Sequence, residues 1–252
     1  MGRERDLGRT IVITGAGAGL GRALARRFAR EGETVGLLGR TLSKVQALAE
    51  ELGEPAFAVG CDVASPDSVR AAFAAVAERY PKVDVLINNA AIYEPFTVAE
   101  ARDDQILDII NTNLAGPAFC CRSAIPMMER GGCIINVSSE SVDLPFAMLA
   151  LYQASKGGLE RLTEALSSEL DEAGIRVTML RAGPMMDFEN PETPNWNPDA
   201  AMRFHQGCAK AGLDLRTRPI SDVSSVTNVF RAVIDLPTDV RITQLFVEAR
   251  KP

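Results

Sequence analysis

Thr10-Ile11-Val12-Ile13-Thr14-Gly15-Ala16-Gly17-Ala18-Gly19-Leu20-Gly21 is the stretch that decides the fold. An uncharged run of β-branched residues reads as a buried strand. The glycines that follow open directly onto residues 20–31, which repeat apolar side chains at helical spacing. A glycine-rich turn between a strand and a helix lets backbone approach a pyrophosphate closely. The helix N-terminus then supplies unpaired N–H groups and the positive end of its dipole. The spacing is T-G-x-x-x-G-x-G and not G-x-G-x-x-G, because Leu20 and Arg22 fall where a third glycine is required. Placed between a strand and a helix, the turn predicts a dinucleotide site formed by Gly15, Gly17, Ala18, Gly19, Leu20 and Gly21.

The same alternation continues outward. Thr34–Leu38, Ala56–Gly60, Val83–Ile87, Cys133–Val137, Ile175–Leu180 and Arg241–Val247 read as further strands, and helices are expected near 41–52, 66–80, 103–129, 150–172 and 222–235. Stretches of that length can cross over between parallel strands. The expected fold is therefore α/β: a single doubly wound Rossmann-type domain over residues 1–252, with a parallel seven-stranded sheet and helices on both faces. Its ligands should sit beyond the carboxyl ends of the strands. Residues 183–220 break the pattern with five prolines, the only Trp, the only His and no clean period. A long irregular stretch of this kind predicts a substrate-binding loop or lid.

Composition narrows the function. The net charge of -6 offers no basic footprint for nucleic acid. No run approaches the ~18 consecutive apolar residues of a membrane span. The opening Met1-Gly-Arg-Glu-Arg-Asp-Leu-Gly8 is more polar than a secretory signal, so a cytoplasmic location is expected. Five cysteines without a CxxC pair read as reduced and partly buried. With one histidine, His205, the chain lacks the usual ligands of a catalytic zinc, so no metal is expected.

At the end of the second strand stands Leu37-Leu38-Gly39-Arg40-Thr41. An acidic residue at this point holds the ribose diol of NAD, whereas an arginine accommodates the 2′-phosphate of NADP. Gly39 carries no carboxylate and Arg40 carries a guanidinium fork, so NADP(H) is preferred, with NAD(H) possible. Farther along, Tyr152-Gln-Ala-Ser-Lys156 places a phenol and an ammonium four residues apart on one helical face. A cation beside a phenol lowers its pKa, which suits a tyrosine to proton exchange with a carbonyl or alcohol oxygen.

Together the turn, Cys61-Asp62-Val63, Asn88-Asn89-Ala90, Asn113, Ser139 and Tyr152-x-x-x-Lys156 resemble the short-chain dehydrogenase/reductase family, in its order and across nearly the whole chain. The resemblance implies that Tyr152 is the general acid/base. It makes Lys156 the ligand of the nicotinamide ribose that lowers the tyrosine pKa, and Ser139 the group that orients the substrate oxygen. Asn113 would hold a water that links Lys156 to solvent. Asp62 and Val63 would flank the adenine, Asn89 and Ala90 would line the adenosine side, and Thr41 and Gly183 would complete the cofactor site. The implied activity is the interconversion of a small-molecule carbonyl and a secondary alcohol, in a homodimer or homotetramer. The alternative is a catalytically silent NADP(H)-binding or regulatory protein. Two departures stand out. Ala91 replaces a glycine, and Arg181-Ala182-Gly183-Pro184-Met185-Met186-Asp187 has an aspartate where the family commonly has a threonine against the nicotinamide amide.

The loops after the fourth, fifth and sixth strands are expected to wall the substrate pocket. They carry Tyr93, Glu94 and Phe96; Glu140, Asp143 and Phe146; and Met185, Met186, Phe188 and Trp196. Arg181 reads either as a partner for a substrate carboxylate or as half of a structural ion pair.

Overall fold

In the computed structural model, residues 8–191 and 193–250 are described. The polar opening stretch that suggested a cytoplasmic location lies mostly outside them. Among the described residues no helix is long and apolar enough to cross a membrane.

The chain runs β1 (Thr10–Thr14), α1 (Gly19–Arg30), β2 (Thr34–Gly39), α2 (Leu42–Leu52), β3 (Phe57–Gly60), α3 (Pro66–Arg79) and β4 (Val85–Asn88). Then come α4 (Asp103–Ile110), α5 (Gly116–Ala124), β5 (Cys133–Ser139), α6 (Ala150–Glu169) and β6 (Arg176–Ala182). The remainder is β7 (Met185–Met186), α7 (Pro198–Lys210), β8 (Ser221–Asp222), α8 (Val223–Ile234) and β9 (Gln244–Val247). Seven strands pair in the order β3-β2-β1-β4-β5-β6-β9, and every pairing is parallel. The strand order reverses between β1 and β4, so a crevice forms at their carboxyl ends.

Alternation along each strand builds two cores. Ile11, Ile13, Leu37, Ile87 and Ile135 face one side, where Leu24 and Phe28 of α1, Val45 of α2 and Phe230 of α8 cover them. Val12, Leu38, Leu86, Ile134 and Val177 face the other side, against Val69, Phe73 and Val76 of α3, Cys120 of α5 and Leu166 of α6. Strands buried on both faces need the continuous apolar runs seen in the sequence. All five cysteines are free and buried.

Two sequence expectations are revised. The helix expected over 103–129 is interrupted by a π-helical turn at Asn111–Ala115. Pro117 follows it, and a proline has no N–H to offer the Asn113 carbonyl four residues back. The irregular stretch 183–220 contains α7, which starts on Asn197 as N-cap and Pro198 as first residue, with Phe204 and Cys208 buried one turn apart. The Asn-Pro-Asp start was a readable signal. The intervals between its apolar residues were too mixed to reveal it.

Gly21 fixes how closely α1 approaches the turn. A Cβ there would lie 2.3 Å from the Gly15 carbonyl oxygen and 2.7 Å from the Asn89 Nδ2. In an unconstrained helix, glycine to alanine stabilises by roughly 0.5–1 kcal/mol. Here Gly21→Ala is expected to destabilise by about 1–3 kcal/mol through overpacking, read as a lower midpoint of urea unfolding.

Candidate active site

The glycine turn is held in place from β4. Thr14 Oγ1 accepts the main-chain N–H groups of Asn89 and Ala90, each at 3.1 Å. In return the Asn89 carboxamide donates to the carbonyls of Thr14 at 3.0 Å and Gly15 at 3.3 Å. Gly15 and Gly19 adopt positive φ, +66° and +48°, a conformation that favours glycine. Nothing lies within 4 Å of where a Cβ at Gly19 would stand. The first helical N–H groups of α1 begin there, and the N-cap, Ala18, has no side-chain oxygen to satisfy them. An open, glycine-lined helix N-terminus fits the pyrophosphate of a dinucleotide.

Arg40 stands exposed just past β2, and among the described residues no carboxylate pairs with it. Thr41 beside it is the N-cap of α2. A Cβ on Gly39 would meet the Val45 Cγ1 at 2.7 Å, so packing against α2 keeps that position free of any side chain. Asp62 and Val63 follow β3. The Asp62 Oδ1 accepts the Ala64 N–H at 3.1 Å, and Val63 is buried under Gly116.

Helix α6 carries the second half of the site. Its inward face repeats Tyr152, Ser155, Lys156, Leu159, Glu160 and Thr163, the spacing that places side chains on one side of a helix. The Lys156 Nζ donates to the Val137 carbonyl at 2.7 Å and lies 5.9 Å from the Tyr152 ring centroid. Ser139 ends β5 and accepts the Ser141 N–H at 3.2 Å. Asn113 is fully buried in the π-helical turn. Its carboxamide accepts the Ile92 N–H at 2.9 Å and donates to the Ile92 carbonyl at 2.8 Å and to the Ser155 Oγ at 3.2 Å. The four residues expected to act together thus converge at the carboxyl end of β5.

Burial decides their proton affinities. It pushes the Tyr152 phenol up to about 12, against the Ser139 hydroxyl, which favours the phenolate; nearby Tyr93 and Glu140 push it further up. It pushes the Lys156 ammonium down to about 8, with Glu160 opposing. The sequence alone suggested a phenol with a lowered pKa. Desolvation outweighs that expectation, because it penalises the charged form of both groups at once.

The polar supports of α6 could not be read from motif spacing. Asn88 and Asn136 face each other across β4 and β5. The Asn88 Nδ2 donates to the Asn136 Oδ1 at 2.8 Å, and the Asn136 Nδ2 donates to the Thr163 Oγ1 at 2.9 Å. The Ser138 hydroxyl donates to the Glu160 carboxylate at 2.6 Å. Gln153 donates to the carbonyls of Ser141 and Leu144 at 2.7 and 2.9 Å, tying the loop after β5 to α6. Asn88 adjoined a recognised motif, but only the strand register shows what it meets.

The segment after β6 departs from expectation. Asp187 pairs with the Arg22 Nη2 of α1 at 2.9 Å and accepts the Asn190 N–H at 2.9 Å. Its carboxylate is already committed to α1; burial pushes its pKa up, but the Asn190 N–H and then Arg22 hold it below the ordinary range. Arg181 is half of a structural cluster: its Nε and Nη2 meet the Glu160 carboxylate at 2.9 and 2.5 Å, and its Nη1 meets Asp143. Gly183 donates its N–H to the Val247 carbonyl at 2.8 Å. Of the expected pocket residues, Tyr93 packs 5.6 Å from the Tyr152 ring, whereas Phe96 is buried and Phe188 is exposed. His205 is exposed on α7, edge-on to Phe204.

Residues 9–194 match the family model described as short chain dehydrogenase. The chain belongs to this family. A 3beta-hydroxysteroid dehydrogenase of Mediterraneibacter gnavus is 40% identical over 180 residues, covering 69% of this chain and 64% of that protein. The chloroplastic chlorophyll(ide) b reductase NOL of Arabidopsis thaliana is 35% identical over 176 residues, covering 66% of this chain and 51% of that protein. The match thus spans between half and two thirds of the length of these curated relatives. A blue fluorescent protein from a metagenomic library, solved in complex with NADPH, superposes with a TM-score of 0.80 at 28% identity, covering 96% of this chain and 97% of that one. This short-chain dehydrogenase therefore shares its fold from end to end with a protein solved with NADPH bound.

The Lys156 shift has a consequence for stability. In the folded chain its pKa falls to about 8 from the ordinary 10.5. The folded state therefore holds this proton less well than the unfolded state, and the chain loses stability as pH falls from about 10.5 through 8. Lys156→Met keeps the aliphatic stem and removes the charge. It is expected to stabilise by about 1–2 kcal/mol at pH 7, less than the full shift because the hydrogen bond to Val137 is lost. As pH rises from 8 the urea midpoints of the two proteins should draw together and cross before pH 10.5, above which the wild type keeps the advantage of its hydrogen bond.

Proposed function

We propose that the chain is an NADP(H)-dependent oxidoreductase that interconverts a carbonyl compound and a secondary alcohol. The observation that carries this reading is the convergence of Ser139, Tyr152 and Lys156 at the carboxyl end of β5, beside the glycine turn. The main chain of Gly15, Gly17, Ala18, Gly19, Leu20 and Gly21 would hold the pyrophosphate. Asp62, Val63, Asn89 and Ala90 would hold the adenosine, Lys156 and Tyr152 the nicotinamide ribose, and Gly183 the nicotinamide end. Arg40 and Thr41 would receive the 2′-phosphate. The absence of any side chain at Gly39 supports that assignment, since no carboxylate stands there to repel the phosphate or hold a diol.

NADPH, when bound, would supply a hydride to the carbonyl carbon. Tyr152 gives its phenolic proton to the carbonyl oxygen, so hydride and proton together convert C=O into CH–OH. Ser139 donates a hydrogen bond to the same oxygen and fixes its position. A phenol held neutral by burial is ready to act as an acid at neutral pH, and it remains more acidic than the alcohol it makes. Protonated Lys156 stabilises the phenolate left behind. Asn113 would hold a water that links Lys156 to solvent for proton resupply. The lid is the segment 183–220, anchored to the site by Arg218 on Glu140, with Nη1 to Oε1 at 2.6 Å. The substrate is a small molecule, and we place self-association on the α4–α6 face and on β9, where Phe246 is exposed.

Three outcomes test this. Tyr152→Phe is expected to lower kcat for carbonyl reduction by at least ~10²-fold while leaving NADPH binding, followed by fluorescence titration, intact; undiminished turnover refutes the mechanism. Arg40→Ala should raise the Kd for NADPH by ~10-fold or more and hardly alter that for NADH; equal losses refute the phosphate assignment. Lys156 sheds its proton near pH 8 and Tyr152 keeps its own to about 12, so kcat/KM for reduction should fall as pH rises through about 8. Lys156→Arg should move that fall to higher pH.

A further inference from the structure

Four aromatic rings from three separate segments extend in a chain of contacts from the proton donor proposed above. Tyr93, after β4, packs against Tyr152 at 5.6 Å. Trp196 of the lid meets Tyr93 edge-on, at 5.1 Å and 84°, and its indole N–H donates to the Tyr93 carbonyl at 3.2 Å. Behind it Phe204 of α7 lies edge-on at 5.6 Å, and Phe146, after β5, stacks on Phe204 at 6.3 Å. Phe204 is a buried anchor, whereas Tyr93 is 45% exposed although it touches Tyr152. An aromatic face left half bare beside the reacting group is available to a ligand.

The arginines around this wall are already paired. Arg218 holds Glu140, Arg203 holds Glu100 and Arg181 holds Glu160 and Asp143. A phosphate or carboxylate on the substrate would have to break one of these pairs. Trp196, in contrast, is flanked by exposed residues at 195 and 197 and is held by the Tyr93 and Phe204 rings and one hydrogen bond. Edge-to-face and offset contacts of this kind can be exchanged for equivalent contacts with another flat ring. A flexible chain in the same place loses rotamer freedom and gains no such contacts. Trp196 lies just beyond residues 9–194, which match the family model.

We infer that the Tyr93–Trp196 clasp determines specificity and selects a carbonyl compound carrying a flat, apolar ring, which inserts against Tyr93 while its carbonyl reaches Tyr152. This inference rests on the redox reading above, and its test separates the two. Methyl naphthyl ketone and methyl decyl ketone have the same carbon number and the same reacting group. With NADPH and the full chain, the ring ketone is expected to show about tenfold or higher kcat/KM, with the difference in KM. Trp196→Leu and Tyr93→Leu should each collapse the ratio towards unity, and Trp196→Phe should retain most of it. A ratio near unity in the wild type, or one that survives both leucine variants, overturns the inference.

Trp196 is the only tryptophan in the chain, so its emission reports binding without turnover. In Tyr152→Phe protein the ring ketone should titrate the emission at about tenfold lower concentration than the chain ketone; equal midpoints overturn the inference. If neither ketone is reduced by the wild type and the titration still separates them, the reaction assignment falls and the pocket assignment stands.

Discussion

An ammonium buried under a sheet is the constraint around which the site is organised. Lys156 is 3% exposed and donates to the Val137 carbonyl, so α6 must sit at one height and one rotation above β5. A cation taken from water is tolerated only where hydrogen bonds and an opposite charge compensate it. Val137 supplies the first, and Glu160, one helical turn on, supplies the second. Glu160 is in turn held by Ser138 and Arg181, and the Asn88–Asn136–Thr163 chain closes the seat from the other side. Displacing α6 by one residue would break all of these contacts together. Their joint requirement is why Tyr152 meets Ser139 and Tyr93 in one arrangement.

The same burial sets the electrostatics. Removing water raises the phenol and lowers the ammonium, so proximity alone does not create a phenolate. Around that dry centre nearly every charge is internally matched: Arg22 by Asp187, Arg181 by Glu160 and Asp143, Arg218 by Glu140. These pairs also tie irregular connections to helices and strands. Arg22 fastens the segment after β6 to α1, and Arg218 fastens the residues ahead of β8 to Glu140, which follows Ser139. The two ends of the site are thereby linked through a segment that touches both.

Much of this was legible in the linear chain. Strand and helix alternation was visible because neighbouring residues carry it: β-branched runs for strands buried on both faces, three-to-four spacing for helices, glycines for the turn after β1. The order of Asn113, Ser139, Tyr152 and Lys156 was visible as well. The break at Asn111–Ala115 was missed because its apolar spacing stays helical and the break depends on Pro117 and a tight fit to α6, where Gly158 leaves room for Leu114. Helix α7 was missed because its buried side, Phe204 and Cys208, acquires meaning only against Leu149 and Phe146 of a distant loop.

The sequence by itself determined the layering of the molecule, the glycine turn and the pairing of Tyr152 with Lys156 on one helical face, since each rests on residues close together along the chain. Tertiary structure alone decided that Asp187 answers Arg22 across 165 positions, that Arg181 belongs to Glu160, and that Trp196 closes on Tyr93 across 103. It also decided the sign of the tyrosine shift. Ion pairs, ring contacts and desolvation depend on distance in space, and no spacing along a chain encodes which remote groups the packed sheet will bring within reach.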